Sequence, residues 1–209
     1  MTTIIDYGVG NLFSLACSLE KIGEQTEVTS DAEKIMNAER IILPGVGAFE
    51  DAAKKLRESG LDRLVLAKAA SGTPILGICL GMQMLFDKSF EFGEHQGLGL
   101  IPGSIKPIAP VIGGLKSPQM GWNSLIFPSD KPKHPIFKYV NQGDYVYFVH
   151  SYAAMDCDAS VTALTEYGTL LTAAACKANV CGTQFHPEKS GNVGLAILRA
   201  FTEIPTTQP

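Results

Sequence analysis

One cysteine of the sequence lies in a setting that suits a nucleophile. Cys79 stands in the segment G-I-C-L-G (residues 77–81), between an apolar run that predicts a strand and a segment that predicts a helix. This is the pattern G-x-nucleophile-x-G, with cysteine in place of serine. The glycines permit a tight, strained turn, and the helix N-terminus favours a thiolate. On this motif alone, a buried cysteine between two packing glycines is an equal alternative.

A cysteine nucleophile needs a base, and the base needs a group that orients it. Among the four histidines, His186 follows a predicted strand over residues 180–185 and precedes Pro187 and Glu188. If that strand is parallel to the one before Cys79, both side chains reach the same edge of the sheet. Glu188 can then bond the second ring nitrogen. The sequence therefore predicts a Cys79–His186–Glu188 triad.

Acyl transfer also needs backbone donors for the negative charge that develops on the carbonyl oxygen. The N–H of Leu80, directly after the nucleophile, is one donor. The loop P-G-V-G (residues 44–47) follows another predicted strand, and its glycines let the backbone come close to a substrate. We expect the second donor around Val46 and Gly47, with a simple turn as the alternative.

The elements that must position these groups predict an α/β fold. In the first half, short apolar strands alternate with helical patterns, which is typical of a mostly parallel twisted central sheet flanked by helices. The predicted helices span residues 11–22, 49–59, 61–71, 80–86 and 194–201. We expect Asn11 to cap the first of them.

The second half of the chain has a different pattern of predicted secondary structure. From about residue 100 it consists of strand-like segments separated by turns, at residues 145–149, 161–164, 170–175 and 180–185. We expect these to add antiparallel strands to the same sheet. The chain predicts a single domain over residues 1–209, with a frayed tail from residue 204.

The composition narrows the class of protein. Of 209 residues, 45% are hydrophobic and 18% are charged, which is typical of a globular protein. The net charge of −4 gives no electrostatic reason to expect nucleic acid or an anionic membrane as a partner. Since the chain has neither a long apolar run nor the features of a signal peptide, we expect a cytoplasmic protein.

The five cysteines are scattered and odd in number, and none forms C-x-x-C. We therefore expect neither a disulfide framework nor a structural zinc site, and no metal at all. Two glycine-rich segments look like dinucleotide loops, but Phe13 and Glu50 occupy their third glycine positions. The sequence predicts no nucleotide site and no cofactor.

The segment G-I-C-L-G-M-Q (residues 77–83), together with the distant H-P-E (residues 186–188), resembles the class I glutamine amidotransferase family. The resemblance runs along essentially the whole chain. Four further segments are similar to the glutaminase subunits of imidazole glycerol phosphate synthase, an enzyme of histidine biosynthesis. These are D-Y-G-V-G-N (6–11), P-G-V-G (44–47), M-G-W-N (120–123) and Y-F-V-H-S-Y (147–152).

The resemblance implies that Cys79 attacks the side-chain amide of glutamine, that a glutamyl thioester forms, and that water hydrolyses it to glutamate. It also implies four residues that hold the amino acid end of the substrate, Gln83, Glu91, Ser151 and Tyr152. For Glu91, a solvated surface carboxylate is an equal alternative.

The resemblance further implies a partner, a (β/α)8-barrel cyclase that receives the ammonia through a channel. Because the chain has no barrel, we expect the cyclase to be a separate chain in a heterodimer. The residues expected to face it are Trp122, Asn123, Tyr147 and Lys189, with a core aromatic as the alternative for Trp122. Three competing functions stay open: another amidotransferase subunit, a cysteine hydrolase or peptidase, and a non-catalytic binding module.

Overall fold

The computed structural model describes residues 1–206, which form thirteen strands and six α-helices. The strands are β1 Thr2–Ile5, β2 Thr26–Thr29, β3 Arg40–Leu43, β4 Ile75–Ile78, β5 Phe86–Ser89, β6 His95–Gln96, β7 Ile101–Pro107, β8 Gln119–Ser124, β9 Tyr145–His150, β10 Tyr152–Met155, β11 Val161–Glu166, β12 Leu170–Lys177 and β13 Val180–Thr183. The helices are α1 Leu12–Lys21, α2 Ala32–Met36, α3 Phe49–Glu58, α4 Leu61–Ala70, α5 Leu80–Met84 and α6 Gly191–Thr202.

Seven strands form the central sheet, in the order β11-β12-β13-β4-β3-β1-β2. From β2 to β13 every pair is parallel, and β12 and β11 continue the sheet antiparallel. This confirms the predicted α/β class with a mostly parallel sheet. It also confirms that the second half of the chain adds antiparallel strands to it. The parallel pairing of β4 with β13 brings the segments after both strands to one edge.

The central sheet carries a hydrophobic core on each face, because neighbouring residues of a strand point to opposite sides. Ile4 and Ile42 pack in the core beneath α1 and α6. Ile5 and Ile41 pack in the opposite core, beneath α3 and α4. Both faces are thus covered, and β1, β4 and β13 are buried throughout.

The predicted strand at residues 145–149 does not join the central sheet. It lies within β9, which pairs only with β8 as a separate two-stranded antiparallel sheet among the described residues. A further four-stranded sheet has the order β10-β7-β5-β6. The prediction of one common sheet was wrong for residues 145–149, because an alternating pattern shows that a strand exists but not which strand it pairs with.

The helix boundaries differ from the prediction by a few residues. Helix α5 ends at Met84, and Phe86 already begins β5. Helix α6 begins at Gly191, three residues earlier than expected. The side chain of Asn11 makes no capping hydrogen bond within the described chain, contrary to expectation. Helix α2, which Asp31 caps through the N–H of Lys34, was not predicted because it has only five residues.

The predicted frayed tail is wrong at its first residue. The carbonyl of Ile204 accepts a hydrogen bond from the Arg40 guanidinium at 3.1 Å, and its side chain packs on the core beneath α6. Residues 207–209 lie outside the described residues. Within residues 1–206, no helix is long and apolar enough to span a bilayer.

Cys176 and Cys181 depart from the expectation that the cysteines form no disulfide framework. They face each other across the β12–β13 pair, with Cα atoms 4.1 Å apart, and their sulfurs form a disulfide. The total number of cysteines could not exclude this single pair. Its origin is the tight turn between the two strands, which puts residues five apart in the sequence directly opposite each other.

Candidate active site

Cys79 occupies the turn between β4 and α5 in a strained backbone conformation. Its φ of 54° lies in the left-handed region that residues with a side chain rarely adopt. The N–H of Cys79 donates to the carbonyl of Thr183 at 2.7 Å, which ties the turn to β13. The residue is only 8% exposed. The surrounding sheet therefore holds the sulfur at one position above the strand ends.

The glycines on either side of Cys79 fit where no side chain would. A Cβ on Gly77 would lie 2.7 Å from the carbonyl oxygen of Gly81 and from the amide nitrogen of Met82. A Cβ on Gly81 would overlap the carbonyl of Leu43 in β3. This confirms the predicted reason for both glycines, which is close backbone packing in the turn.

His186 and Glu188 follow β13 and lie beside this turn. Nδ1 of His186 is 2.8 Å from Oε1 of Glu188, and the two side chains are only 2% and 3% exposed. The N–H of His186 also donates to the carbonyl of Tyr147 in β9 at 3.0 Å. The imidazole is thus fixed from two directions.

The environment of His186 favours its protonated form. Burial lowers the pKa of this imidazole, but hydrogen bonds to Cys79 and Glu188 raise it more strongly, and the resulting pKa is about 9. Charge attraction from the same two groups acts in the same direction. At neutral pH, His186 can therefore hold a proton next to the sulfur of Cys79.

The loop after β3 packs directly on the Cys79 turn. A Cβ on Gly45 would approach the amide nitrogen of Gly81 to 2.7 Å. Gly47 has a φ of 95°, which favours glycine. The hydroxyl of Tyr7 donates to the carbonyl of Pro44 at 2.7 Å and so anchors the start of the loop. Sequence analysis assigned no role to Tyr7.

One cavity of about 350 Å³ joins the predicted residues. Its walls include nine of them: Val46, Gly47, Cys79, Leu80, Gln83, Glu91, Ser151, Tyr152 and His186. Three further residues, Pro118, Val149 and His150, were not singled out from the sequence. Glu188 lies behind His186 and does not line this cavity. The structure therefore brings together the predicted nucleophile, base, oxyanion loop and substrate residues.

Two of the predicted substrate residues also make contacts within the protein. The side-chain N–H groups of Gln83 donate to the carbonyl of Tyr152 at 3.1 Å and to Oε1 of Gln184 at 3.0 Å. Oε2 of Glu91 accepts the N–H of Phe49, at the start of α3, at 2.6 Å. Glu91 is therefore anchored beside the oxyanion loop and is not a freely solvated carboxylate.

The family model described as Glutamine amidotransferase class-I matches residues 3–203 of the chain. The chain belongs to the class-I glutamine amidotransferase family. It is thus an enzyme that takes nitrogen from the side-chain amide of glutamine. The third competing function, a non-catalytic binding module, does not fit this assignment.

Curated relatives cover nearly the whole amidotransferase chain. A protein of Carboxydothermus hydrogenoformans is 48% identical over 207 residues, which are 98% of this chain and 100% of the relative. A protein of Oceanobacillus iheyensis is 45% identical over 205 residues, which are 98% of this chain and 99% of the relative. Both carry the name imidazole glycerol phosphate synthase subunit HisH.

Solved structures support the fold of the amidotransferase. The structure titled PurLQS from Thermotoga maritima matches with a TM-score of 0.73 at 21% identity, over 96% of each chain. The glutaminase domain of Trypanosoma brucei CTPS with bound acivicin matches with a TM-score of 0.64 at 12% identity, over 100% of this chain and 96% of that one.

Gln184 is a residue of the amidotransferase site that sequence analysis missed. It is fully buried, and its side-chain amide donates to the sulfur of Cys79 at 3.7 Å. A signal was available, since Gln184 stands two residues before His186. In extended backbone, residues two apart point to the same side.

His150 of the amidotransferase is a buried neutral group in the cavity wall. Burial lowers its pKa to about 4, despite a hydrogen bond to the carbonyl of Tyr152. Its ring nitrogens lie 2.8 Å from that carbonyl and 2.9 Å from Oε1 of Gln119. The imidazole thereby fixes the turn at Ser151 and Tyr152.

The four predicted interface residues lie on or beside the β8–β9 sheet. Trp122 is 53% exposed and packs edge-on against the ring of Tyr147, with centroids 6.0 Å apart. The ammonium of Lys189 lies 5.9 Å from the same ring. Asn123 donates to the carbonyl of Glu166 at 3.2 Å. The alternative of a core aromatic for Trp122 was wrong.

Proposed function

We propose that the chain is the glutaminase subunit of an imidazole glycerol phosphate synthase. It hydrolyses glutamine to glutamate and ammonia and passes the ammonia to a (β/α)8-barrel cyclase in histidine biosynthesis. The observation that carries the chemistry is Cys79, held at positive φ in a cavity beside a His186–Glu188 pair. Relatives of that name are 45% and 48% identical over 98% of the chain, which supports the choice of synthase.

In the first half-reaction, the Cys79 thiolate attacks the side-chain carbonyl carbon of glutamine. The carbon–sulfur bond forms, and the carbonyl electrons move onto oxygen. His186, protonated because its pKa is raised to about 9, donates its proton to the departing nitrogen. The carbon–nitrogen bond then breaks, ammonia leaves, and a glutamyl thioester remains on Cys79.

In the second half-reaction, the neutral imidazole of His186 takes a proton from water. The resulting hydroxide adds to the thioester carbonyl, and collapse of the intermediate returns glutamate and the Cys79 thiolate. His186 keeps the proton that it took from water, which restores the thiolate–imidazolium pair, and the new carboxylic acid releases its proton to solvent as glutamate. Throughout both steps Glu188 orients the ring through its 2.8 Å contact with Nδ1 and stabilises the imidazolium form.

The negative oxygen of both intermediates is bound by backbone N–H groups in this proposal. Leu80 supplies one donor, since it begins α5 directly after Cys79. The peptide between Val46 and Gly47 supplies the second when its N–H points into the cavity. Since Gly47 has no side chain, rotation of this peptide is easy compared with other peptides. The loop can therefore switch the site between a resting and an active state.

Substrate orientation is assigned to Gln83, Glu91, Ser151 and Tyr152. One oxygen of Glu91 is bound to the N–H of Phe49, which leaves the other oxygen to pair with the α-ammonium group of glutamine. Polar groups of Ser151 and Tyr152 can bind the α-carboxylate. Gln83 supports this wall, because its amide holds the carbonyl of Tyr152.

The cyclase is proposed to dock on the outer face of the β8–β9 sheet and on Lys189. Three large side chains are well exposed there, namely Met120 at 66%, Trp122 at 53% and Tyr145 at 58%. Such clustered aromatic and methionine side chains suit a protein interface better than solvent. We propose that the heterodimer acts in the cytoplasm.

The docking face connects to the catalytic base through two backbone contacts. Tyr147 accepts the N–H of His186 at 3.0 Å, and its own N–H donates to Oγ of Ser190 at 3.0 Å. The same serine hydroxyl donates to the carbonyl of His186 at 2.6 Å. A shift of β9 on docking would therefore reach His186 directly.

The function is tested by mixing the chain with candidate acceptor synthases and measuring glutamate release. We expect release to rise only with the cyclase of imidazole glycerol phosphate synthase. If a synthase of anthranilate, guanylate or pyridoxal phosphate synthesis stimulated glutamate release instead, that synthase would be the acceptor and the proposed one would be wrong. An absence of glutaminase activity with every acceptor, alongside hydrolysis of peptides or esters, would favour a cysteine hydrolase.

A further inference from the structure

The β12–β13 pair and the segment before Ile136 bring three potential metal ligands together. One donor atom each of His134, Cys176 and Cys181 lies within 4.8 Å of the other two. None of these residues lines the cavity around Cys79. Cys181 is 2% exposed, and His134 and Cys176 are half-buried. The cluster is therefore separate from the glutaminase site.

The backbone around the cluster fixes all three side chains. Cys176 and Cys181 are opposite residues of an antiparallel pair, with Cα atoms 4.1 Å apart. His134 precedes a short 3-10 helix, Pro135–Phe137, and its Nδ1 accepts the N–H of Ile136 at 3.3 Å. In the neutral ring this nitrogen therefore has a lone pair and no proton, and a metal bound there would take the place of the N–H of Ile136. It lies 3.7 Å from the sulfur of Cys176.

The spacing and chemistry of the donors suit one kind of ion. Zn²⁺ prefers thiolate sulfur and imidazole nitrogen, at about 2.3 Å and about 2.1 Å in tetrahedral geometry, which places neighbouring donors about 3.6 Å apart. Nδ1 of His134 lies 3.7 Å from the sulfur of Cys176, and one donor atom of each residue lies within 4.8 Å of the other two. One ring nitrogen binds the ion, and the two sulfurs must move apart to neighbouring tetrahedral positions once their bond is reduced.

We propose that His134, Cys176 and Cys181 bind one Zn²⁺ ion when the Cys176–Cys181 disulfide is reduced. Within residues 1–206 no fourth histidine, cysteine or carboxylate joins the cluster. The fourth position of the tetrahedron therefore belongs to water or a small ligand. This site is independent of the glutaminase mechanism.

The disulfide and the metal exclude each other. A dithiol reductant transfers two electrons and two protons to the sulfur–sulfur bond and becomes a disulfide itself. The two thiols then release their protons as Zn²⁺ binds both thiolates and the neutral imidazole. Exchange with a small-molecule disulfide, which takes up the two electrons and becomes two thiols, re-forms the Cys176–Cys181 bond and releases the ion. The site would thus bind metal only under reducing conditions.

The test uses the full chain with Cys79→Ala, which removes the other cysteine that lies beside a histidine. The protein is reduced with a dithiol, freed of it under anaerobic conditions, and titrated with Co²⁺ as a spectroscopic probe. We expect one Co²⁺ per chain, with thiolate charge-transfer absorption and the visible bands of tetrahedral cobalt, and displacement by Zn²⁺. The same protein in its oxidised form is the matched control and should bind no Co²⁺.

Single substitutions assign the ligands. His134→Ala, Cys176→Ser and Cys181→Ser should each weaken Co²⁺ binding at least about 100-fold, since even outer partners of a metal site contribute about 10- to 100-fold. Cys17→Ser and Cys157→Ser should leave it unchanged, and circular dichroism checks that every variant is folded. His134→Ala leaves both strands intact, so it separates loss of a ligand from loss of the fold.

Three results would overturn the proposal. Unchanged Co²⁺ binding by folded His134→Ala, or by the folded Cys176→Ser or Cys181→Ser variant, would show that the substituted residue is not a ligand. Equal Co²⁺ binding by the oxidised protein would place the ion elsewhere. Failure of the dithiol to free two additional thiols in the folded protein would show that the pair is a permanent disulfide.

Discussion

The side-chain amide of Gln184 donates to the sulfur of Cys79 at 3.7 Å, and its oxygen accepts a hydrogen bond from Gln83 at 3.0 Å. The amide of Gln83 in turn holds the carbonyl of Tyr152. A buried chain of amides thus connects Tyr152 in the cavity wall to Cys79. Because its last donor faces the sulfur, we expect Gln184 to stabilise negative charge that develops on Cys79.

Replacing Gln184 with Met removes this donor and keeps the side-chain length. Since a hydrogen bond to a charged group contributes about 1.5–3 kcal/mol, we expect kcat to fall about 10- to 100-fold. Alkylation of Cys79 should slow as well. Steady-state kinetics and iodoacetamide labelling provide the measurement. Gln142→Met, which loses only a hydrogen bond to the N–H of Phe127, is the control. Unchanged alkylation would leave Gln184 with a packing role only.

The triad residues should behave as a unit. Cys79→Ala should abolish glutamine hydrolysis, and His186→Ala should be nearly as damaging. Glu188→Gln should be milder, because Glu188 orients the base and does not transfer a proton. The His186→Ala, Glu188→Gln double variant should be little worse than His186→Ala alone. Steady-state glutamate release measures all four. Multiplicative losses in the double variant would show that the two residues act independently.

The pKa of His186 predicts a pH dependence of stability. This pKa is about 9 in the folded protein and about 6.5 in an unfolded chain. The raised value stabilises the fold fully below pH 6.5, and the contribution is lost as pH rises to about 9. The free energy of unfolding of the wild type, minus that of His186→Gln, should therefore shrink across this range in denaturant titrations.

The same pKa can be followed directly by NMR of labelled histidine. Cys79 contributes a hydrogen bond and a charge interaction to His186, so Cys79→Ala should move the titration midpoint of His186 to lower pH. Because the groups are coupled, the midpoint in the wild type belongs to the pair. A wild-type midpoint near 6.5 that is insensitive to Cys79→Ala would contradict the proposed proton position.

Gly47 tests the switch in the oxyanion loop. A Cβ placed on Gly47 would meet no described heavy atom within 4 Å, so Gly47→Val acts on the backbone and not through a collision. A β-branched residue disfavours the φ of 95° and hinders peptide rotation. We expect the partner-stimulated rate to fall about 100- to 1000-fold, the usual effect of losing one oxyanion donor. Cys79 alkylation should stay normal. Full stimulation of Gly47→Val would exclude this loop as the switch.

Trp122 tests the docking face. Central aromatic residues of an interface commonly contribute at least about 2 kcal/mol, so Trp122→Ala should weaken cyclase binding by about 30-fold or more. Isothermal titration calorimetry measures the effect. Val28→Ala is the matched control, because Val28 is also exposed but lies in β2, one edge strand of the central sheet. Strand β8 contacts the other edge strand, β11, through Asn123 and Glu166. If both variants bound the cyclase with equal affinity, the interface would not lie on β8 and β9.

The candidate catalytic residues could be predicted from the sequence because their relationships are local. Cys79 sits between two glycines whose packing defines the turn, and Glu188 reaches His186 from only two residues away. Only the parallel pairing of β4 with β13 had to be inferred to bring the two segments together. The sequence analysis left that pairing as a condition, because an apolar strand does not reveal its partner or its direction.

The contacts that the sequence analysis did not predict join distant segments. Tyr7 anchors Pro44, and Glu91 binds the N–H of Phe49, across 37 and 42 residues of sequence. Tertiary packing also separates β8 and β9 from the central sheet. It likewise brings His134 close to Cys176 and Cys181. No local pattern encodes these pairings, since strand partners and loop approaches depend on the whole fold.

The most direct measurement follows the amide nitrogen itself. The chain and the cyclase of imidazole glycerol phosphate synthase are combined with the cyclase substrate and glutamine carrying ¹⁵N in its side-chain amide, in excess unlabelled ammonium at a pH that keeps free ammonia low. We expect ¹⁵N in the imidazole product in step with glutamate release. With Cys79→Ala, product should form only from added ammonia and carry no label. Product nitrogen that comes from the unlabelled pool in the wild type, or labelled product with Cys79→Ala, would contradict the account.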